Sequence, residues 1–389
     1  MSTTVRVPVK ASIWDWVMRI GAYSNLTVAD HEKIDLWRSG SENPTMRQIS
    51  YMSKKLSVPF GYFFLKEPVD DTPQVFAHRT IANANLAKPS RDLVDTVFSM
   101  QSIQDWARQD SRDNDYAQLS YVGSCSIATI TAQQLAHRIR QVLGLDERWF
   151  EAVSSPRLLS EAFTLLRQSC EQAGILVMLN GIVGDNTHRE LNPQEFRAFA
   201  LVDAYDPLIF INHADSRAGQ LFSLAHEVAH IWLGVDELYN DNYLTQSNAP
   251  LEVLCNATAA ELLVPNAAFI QEWKQSMSTG IGEVQVIAQL AKVFPVSAVT
   301  VARRALDAGF IGQAMYDKIA DESLKQWEQK ESTVSGGNYY NTKQSRLDHR
   351  FLARLSASIS EGRTTYTQAY RLTGSNRTTF PKLLEAAGV

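Results

Sequence analysis

Apolar residues recur at helical spacing along most of the chain. Near the N-terminus, Ile13, Trp16, Val17 and Ile20 stand three or four positions apart, which predicts an amphipathic helix. A second helix is predicted after Thr45, whose hydroxyl suits a helix N-cap. The same periodicity predicts further helices over 91–109, 131–145, 160–173 and most of 265–320.

The period changes in the middle of the chain. Gly174 is placed to end a helix, and short apolar runs typical of strands follow at 175–179, 196–202 and 208–212. A small sheet followed directly by a helix predicts an α+β fold that is mostly helical.

The helix after these strands carries residues suited to metal chemistry. In His226-Glu-Val-Ala-His230 the histidines are four positions apart, so on a helix both imidazoles project from one face and can bind one ion. Glu227 follows the first histidine, where its carboxylate can activate a zinc-bound water by taking its proton. The alternative interpretation is a pair of histidines on the surface of an amphipathic helix.

A catalytic zinc needs a third protein ligand and one open position. The best candidate stands on the next predicted helix, 250–265, where Glu252 and Asn256 are four residues apart. Glu252 can bind zinc while Asn256 holds a ligating histidine by a hydrogen bond. Glu252 could instead be a carboxylate favoured by the helix dipole. Glu261 is the competing ligand, and Cys255 is a weaker candidate that is more often simple core.

Length, net charge and cysteine content limit the classes of protein to which this chain can belong. The 389 residues allow two or three domains, and a formal net charge of -5 argues against a surface built throughout for nucleic acid. Three separated cysteines, Cys125, Cys170 and Cys255, predict neither a disulfide framework nor a cysteine metal cluster. The N-terminus lacks an apolar signal core and no apolar run is long enough to cross a bilayer, so a cytoplasmic protein is expected.

The stretch from Gly174 to Ile311 resembles the ImmA/IrrE metallopeptidases, formerly a domain of unknown function. Two signatures carry the resemblance, Phe222-Ser-Leu-Ala-His-Glu-Val-Ala-His230 and the helix from Glu252 through Asn256 to Pro265. The resemblance implies a small zincin-like domain that binds Zn2+.

In that family the first glutamate of the second signature is the third zinc ligand, and here that residue is Glu252. The resemblance also implies cleavage of a regulatory protein, typically a helix-turn-helix repressor, in mobile elements, stress responses or toxin–antitoxin modules. The expected activity is therefore that of a zinc metalloendopeptidase with narrow specificity.

The N-terminal part resembles the Xre-type helix-turn-helix domains that precede this peptidase in longer family members. The match covers Trp37-Arg-Ser-Gly40, Asn43-Pro-Thr45 and Tyr62-Phe-Phe-Leu65, while Ala77-His-Arg-Thr80 departs from the family pattern. The expected recognition helix at 27–37 is shortened and carries Asp30, Glu32 and Asp35 against one lysine. Because carboxylates weaken contacts with phosphate, a domain that contacts protein is the alternative to one that binds DNA.

These patterns predict four parts of the chain. They are an Xre-like helical domain at 1–68, a helical connector at 69–150, the peptidase domain at 151–320, and a linker with a C-terminal helical unit at 321–389. The last part is rich in arginine, which could contact nucleic acid or simply solvate a helix face.

Two other functions are compatible with the sequence. The chain could be a non-proteolytic antitoxin or regulator that binds a partner protein, or a DNA-binding transcriptional regulator. Proteolysis would also need a side chain that stabilises the tetrahedral oxyanion. The sequence offers several candidates without choosing among them: His188, His213, Tyr239 and Tyr243, with His78 and Arg79 able to contribute only by folding over the cleft.

Overall fold

The computed structural model describes residues 5–71, 89–152, 157–235, 237–239, 250–328 and 339–389. The described chain divides into two compact units, the first formed by residues up to position 97 and the second by residues from 98 onward. The second unit contains a small sheet among many helices, so the predicted α+β class, mostly helical, is confirmed.

Three helices form most of the first unit. They are α1 (Ala11–Ile20), α2 (Val28–Arg38) and α3 (Met46–Leu56), with 3-10 turns at Tyr23–Asn25 and Phe60–Phe64 and the start of α4 (Arg91–Asp113). Trp14 is the centre of the core: its ring lies 5.4 Å from Trp37 and 5.1 Å from Phe63. Thr27 and Thr45 each cap a helix through a reciprocal capping box.

One expectation for α2 is wrong. Asp30, one of the carboxylates expected to weaken contacts with phosphate, is buried. It accepts hydrogen bonds from the backbone amide and the hydroxyl of Thr27, at 3.0 and 2.8 Å. A carboxylate in the first turn of a helix stabilises the free N–H groups there, so Asp30 serves the helix start.

The second unit continues α4 and adds twelve helices in the described residues. They are α5 (Ala132–Leu143), α6 (Leu158–Ala173), α7 (Arg217–Leu233), α8 (Pro250–Leu263), α9 (Asn266–Met277), α10 (Glu283–Leu290), α11 (Ala298–Asp307), α12 (Gln313–Glu328), α13 (Tyr339–Arg346), α14 (His349–Ser360), α15 (Tyr366–Thr373) and α16 (Phe380–Ala387), with a 3-10 turn at Trp149–Ala152. One continuous apolar core runs through α5 to α12 and the sheet.

The main sheet has four strands in the order β1, β5, β4, β6. The strands are β1 (Leu176–Asn180), β2 (Ile182–Val183), β3 (Asn186–Glu190), β4 (Ala198–Leu201), β5 (Leu208–Asn212) and β6 (Glu237–Tyr239), with β2 and β3 forming a separate hairpin. β1 is parallel to β5, and the other pairs are antiparallel. The three predicted strands correspond to β1, β4 and β5, whereas the polar, exposed β3 gave no apolar signal.

Helix α7 lies against β4 and β5 and is buried on nearly every side. The Ser216 hydroxyl caps its start by accepting from the Gly219 amide at 3.1 Å, and Gly234 ends it with φ of 72°. The loop before α5 closes its C-terminus, because the amides of Gly123 and Cys125 donate to the carbonyls of Ile231 and Trp232, each at 3.0 Å.

The C-terminal part of the chain covers the outer edge of the sheet at β1. The Asp348 carboxylate accepts from the Val177 amide at 3.0 Å and from the Phe351 amide at 2.8 Å, so it caps both the strand edge and α14. Arg167 donates to the Val177 carbonyl at 3.0 Å and to the Leu347 carbonyl at 2.7 Å. Side chains therefore satisfy the backbone groups that an edge strand leaves open.

Two arginines of the C-terminal part form ion pairs within the second unit. Arg354 donates to Asp110 at 2.9 Å and pairs with the buried Asp206, and Arg363 donates to Asp110 at 2.7 Å. The ion pairs of Arg354 join α14 to α4 and to the turn before β5, and the pair of Arg363 joins the turn after α14 to α4. Residues 98–152 and 339–389 belong to the same compact unit as the peptidase part. The boundaries expected at 150 and 320 stay predictions.

Among the described helices, none is by itself long and apolar enough to cross a membrane, whereas α8 and α9, bent by 56° at their junction, meet the length and composition criteria only as a pair.

Replacing Asp348 by alanine should destabilise the protein by about 2 to 4 kcal/mol, because two backbone amides lose their buried acceptor. Urea unfolding measures the change. The matched control is Asp307→Ala, which removes a half-exposed ion pair with Arg303 and should cost less than about 0.5 kcal/mol. An equal effect of the two substitutions would contradict the role given to Asp348.

Candidate metal centre

Two packed helices bring three potential metal ligands together. α7 supplies His226 and His230 from one face, and α8, which packs along α7, supplies Glu252 from its first turn. One ligand atom of each residue lies within 4.8 Å of the others. Both histidines are wholly buried, and the side chain of Glu252 is 12% exposed.

The distances between these atoms suit one ion. The Nε2 atoms of His226 and His230 are 2.9 Å apart, and they lie 3.5 and 3.3 Å from the carboxylate oxygens of Glu252. Ligands about 2.0 to 2.1 Å from a tetrahedral zinc would be separated by roughly 3.3 Å. Two imidazole nitrogens and a carboxylate are also a donor set that zinc accepts, so these residues fit the metal.

Asn256 fixes the orientation of the first histidine. Its Oδ1 atom accepts a hydrogen bond from Nδ1 of His226 at 2.9 Å. Because an amide oxygen can only accept, the proton of this imidazole is on Nδ1 and the lone pair of Nε2 points towards His230 and Glu252. The chain therefore contains the hydrogen bond expected for Asn256.

Burial keeps His226 neutral. Desolvation lowers its pKa to about 3, and the neighbouring Glu252 carboxylate opposes this shift only in part. A neutral imidazole is the form that binds a metal ion, so His226 needs to lose no proton at neutral pH.

Glu227 stands beside the first histidine on α7 and is also wholly buried. It is outside the group of three converging ligands, as expected for a carboxylate that acts on a water molecule and does not hold the ion. Ser223, one turn earlier, is a further buried polar residue on α7. It was not among the expected site residues, although its spacing of seven from His230 was a signal.

The competing ligand Glu261 is placed elsewhere. Its carboxylate accepts from Arg304 at 2.5 Å and from the Asn266 amide at 3.2 Å, at the start of α9. Cys255 is buried in the apolar core. Of the carboxylates proposed as third ligand, the structure brings Glu252 to the histidines.

The residues considered for the oxyanion remain without an assigned role. His188 lies exposed on β3 and His213 lies exposed directly after β5. Tyr239 belongs to β6, but its side chain is outside the described part, as are Tyr243, His78 and Arg79.

Comparison with known proteins supports the peptidase interpretation. Residues 170–306 match the peptidase M78 family, described as the IrrE N-terminal-like domain, and residues 347–386 match a domain of unknown function, DUF8813. The radiation response metalloprotease IrrE of Deinococcus radiodurans is 37% identical over 103 residues, which is 24% of this chain and 30% of the relative. The chain thus matches less than a third of that relative's length.

These matches support the ImmA/IrrE family for the peptidase part, a protease activity and a bound metal. The two family matches cover residues 170–306 and 347–386, so the Xre-like resemblance of the N-terminal part stays a prediction.

Acid should destabilise the metal-free protein through His226. Its folded pKa lies below the ordinary value of about 6.5, so its contribution to stability is complete above that pH and is lost as the pH falls. We expect the free energy of unfolding of wild type to fall relative to His226→Gln by about 1 to 2 kcal/mol between pH 7 and 5. Urea unfolding at both pH values measures it, and a constant difference would contradict the account.

Proposed function

We propose that this chain is a zinc-dependent endopeptidase in which His226, His230 and Glu252 hold the ion and Glu227 is the general base. The observation that carries the proposal is the convergence of the three ligand atoms between α7 and α8, beside a wholly buried carboxylate. The matches to the peptidase M78 family and to a metalloprotease support the reaction type.

The zinc ion and the side chains have different roles in the proposed reaction. A bound zinc supplies a Lewis acid that makes water more acidic and stabilises the charge that develops on a peptide carbonyl. Glu227 takes the proton of the attacking water on a carboxylate oxygen and passes it to the leaving amine. Asn256 keeps the His226 proton on Nδ1, and the apolar surroundings of α7 exclude bulk water from the proton transfer.

The proposed substrate is a regulatory protein, such as a repressor or a toxin–antitoxin partner. The family resemblance and the relative's name, which refers to a radiation response, support this class. The first unit supports a protein contact over a DNA contact, because α2 presents Val28 and Leu36 to solvent, 76% and 45% exposed. Exposed apolar side chains suit a protein partner, whereas phosphate requires positive charge.

Glu227→Gln should abolish proteolysis and leave the metal in place. Gln has nearly the same shape as Glu but cannot accept the proton, so we expect the rate of cleavage to fall by at least about 100-fold. The variant should still bind one zinc per chain. The assay adds zinc-loaded protein to a native cell extract with blocked amines and counts new N-termini by mass spectrometry. Metal analysis gives the zinc content.

Two results would contradict the general-base role. Equal cleavage by Glu227→Gln and wild type would exclude Glu227 as the base. If instead neither protein produces new N-termini while both retain the same captured partner from the extract, the chain acts as a non-proteolytic regulator.

Glu252→Gln should lower zinc affinity by more than about 100-fold, because it removes a charged ligand. The matched control on the same helix is Glu261→Gln, which should retain zinc because Glu261 pairs with Arg304. Competition with a coloured chelator measures both affinities. Loss of zinc from the Glu261 variant with retention by the Glu252 variant would overturn the ligand assignment.

A further inference from the structure

Helix α7 carries four polar residues along the face that forms the metal centre. Ser223, His226, Glu227 and His230 stand at positions i, i+3, i+4 and i+7, which is the spacing of a single helix face. All four are wholly buried. Ser223 therefore belongs to the same internal surface as the residues of the proposed reaction.

The Ser223 hydroxyl makes no hydrogen bond within the part of the chain that the structure describes. Two other buried hydroxyls on helices of this unit, those of Thr258 and Ser358, are bonded. Thr258 donates to the Leu254 carbonyl at 2.8 Å, and the hydroxyl of Ser358 is 2.8 Å from that of Thr364. Because burying an unbonded hydroxyl is costly, a sequence selected for stability alone would favour alanine at position 223.

Helix geometry places Glu227 within reach of this hydroxyl, although no hydrogen bond joins the two side chains in the metal-free structure. Side chains on a helix lean towards its N-terminus, so a long side chain covers the residues three and four positions earlier. Glu227 is four positions after Ser223 on the same face. A serine hydroxyl can donate one hydrogen bond, and a carboxylate is an acceptor at both oxygens.

We propose that Ser223 is a positioning residue for Glu227. In the zinc-loaded protein its hydroxyl donates to one carboxylate oxygen of Glu227 and so directs the other oxygen to the water whose proton it takes. Ser223 forms no covalent bond and keeps its own proton throughout. This role rests on the proposed function, in which Glu227 is the general base.

The test compares Ser223→Ala with Ser358→Ala in the full-length, zinc-loaded chain. A positioning role predicts that Ser223→Ala lowers kcat by roughly 10- to 100-fold at unchanged KM, because the base is less well oriented. The same variant should bind one zinc. In its metal-free form it should show a Tm that is unchanged or raised by up to about 4 °C, since the hydroxyl that it loses makes no hydrogen bond in the described metal-free structure.

Ser358→Ala should show the opposite pattern. This substitution removes a hydroxyl that is bonded to Thr364 and has no part in the proposed reaction. The Tm of the variant should therefore fall, while kcat stays at the wild-type value. The kinetic substrate is a synthetic peptide spanning a bond that wild type cleaves in the native extract.

The outcomes separate this inference from the function on which it rests. Full kcat in Ser223→Ala, with wild type active, would overturn the positioning role alone, and so would a lowered Tm accompanied by zinc loss. Failure of wild type to cleave anything in the extract would overturn the proposed function, and the role of Ser223 with it.

Discussion

The burial of a polar cluster between two helices is the constraint on which the rest of the second unit depends. His226, Glu227 and His230 are wholly removed from water, and Glu252 nearly so. Burying imidazole and carboxylate groups is unfavourable unless they are paired or bind a cation. The lone pair of His226 Nε2 faces His230 Nε2 at 2.9 Å. The Glu252 carboxylate lies 3.3 Å from His230 Nε2. A cation bound by all three groups stabilises this arrangement best.

The surrounding structure holds these groups in place. Ser216 starts α7 and the loop containing Gly123 closes its end, so its direction is fixed at both termini. A Cβ atom on Gly234 would come within 2.9 Å of the Cα of Gly123, which explains glycine at this crossing. At the edge of the sheet, Asp348 and Arg167 bond the backbone of β1, which in turn pairs with β5 before the cap of α7.

The sequence predicted those structural features that depend on a pattern within one short segment. The spacing of His226 and His230 required a helix, and the position of Asn256 one turn after Glu252 implied that both would face the histidines. The caps at Ser216 and Gly234 use residue types that favour the two ends of a helix. Strands β4 and β5 were predictable because buried strands are continuous apolar runs.

Features that depend on contacts between distant segments could not be predicted in this way. Glu252 and Glu261 are both acidic residues on one helix, and the pairing of Glu261 with the distant Arg304 has no signal in the local sequence. The arginines of 339–389 have the composition of a solvated or nucleic-acid-binding face, yet Asp110 and Asp206 pair with Arg354 inside the unit. The spacing of Ser223 from His230 was the signal that the sequence offered for this residue. Its residue type added none, because a helix serine is usually bonded to its own backbone.

X-ray absorption at the zinc edge of the purified, zinc-loaded wild type tests the central claim most directly. The account predicts one zinc per chain, with two imidazole ligands and the remaining ligands oxygen, all at about 2.0 to 2.2 Å. A sulfur ligand at about 2.3 Å, a single imidazole, or no stoichiometric zinc would contradict the assignment of His226, His230 and Glu252 as the metal centre.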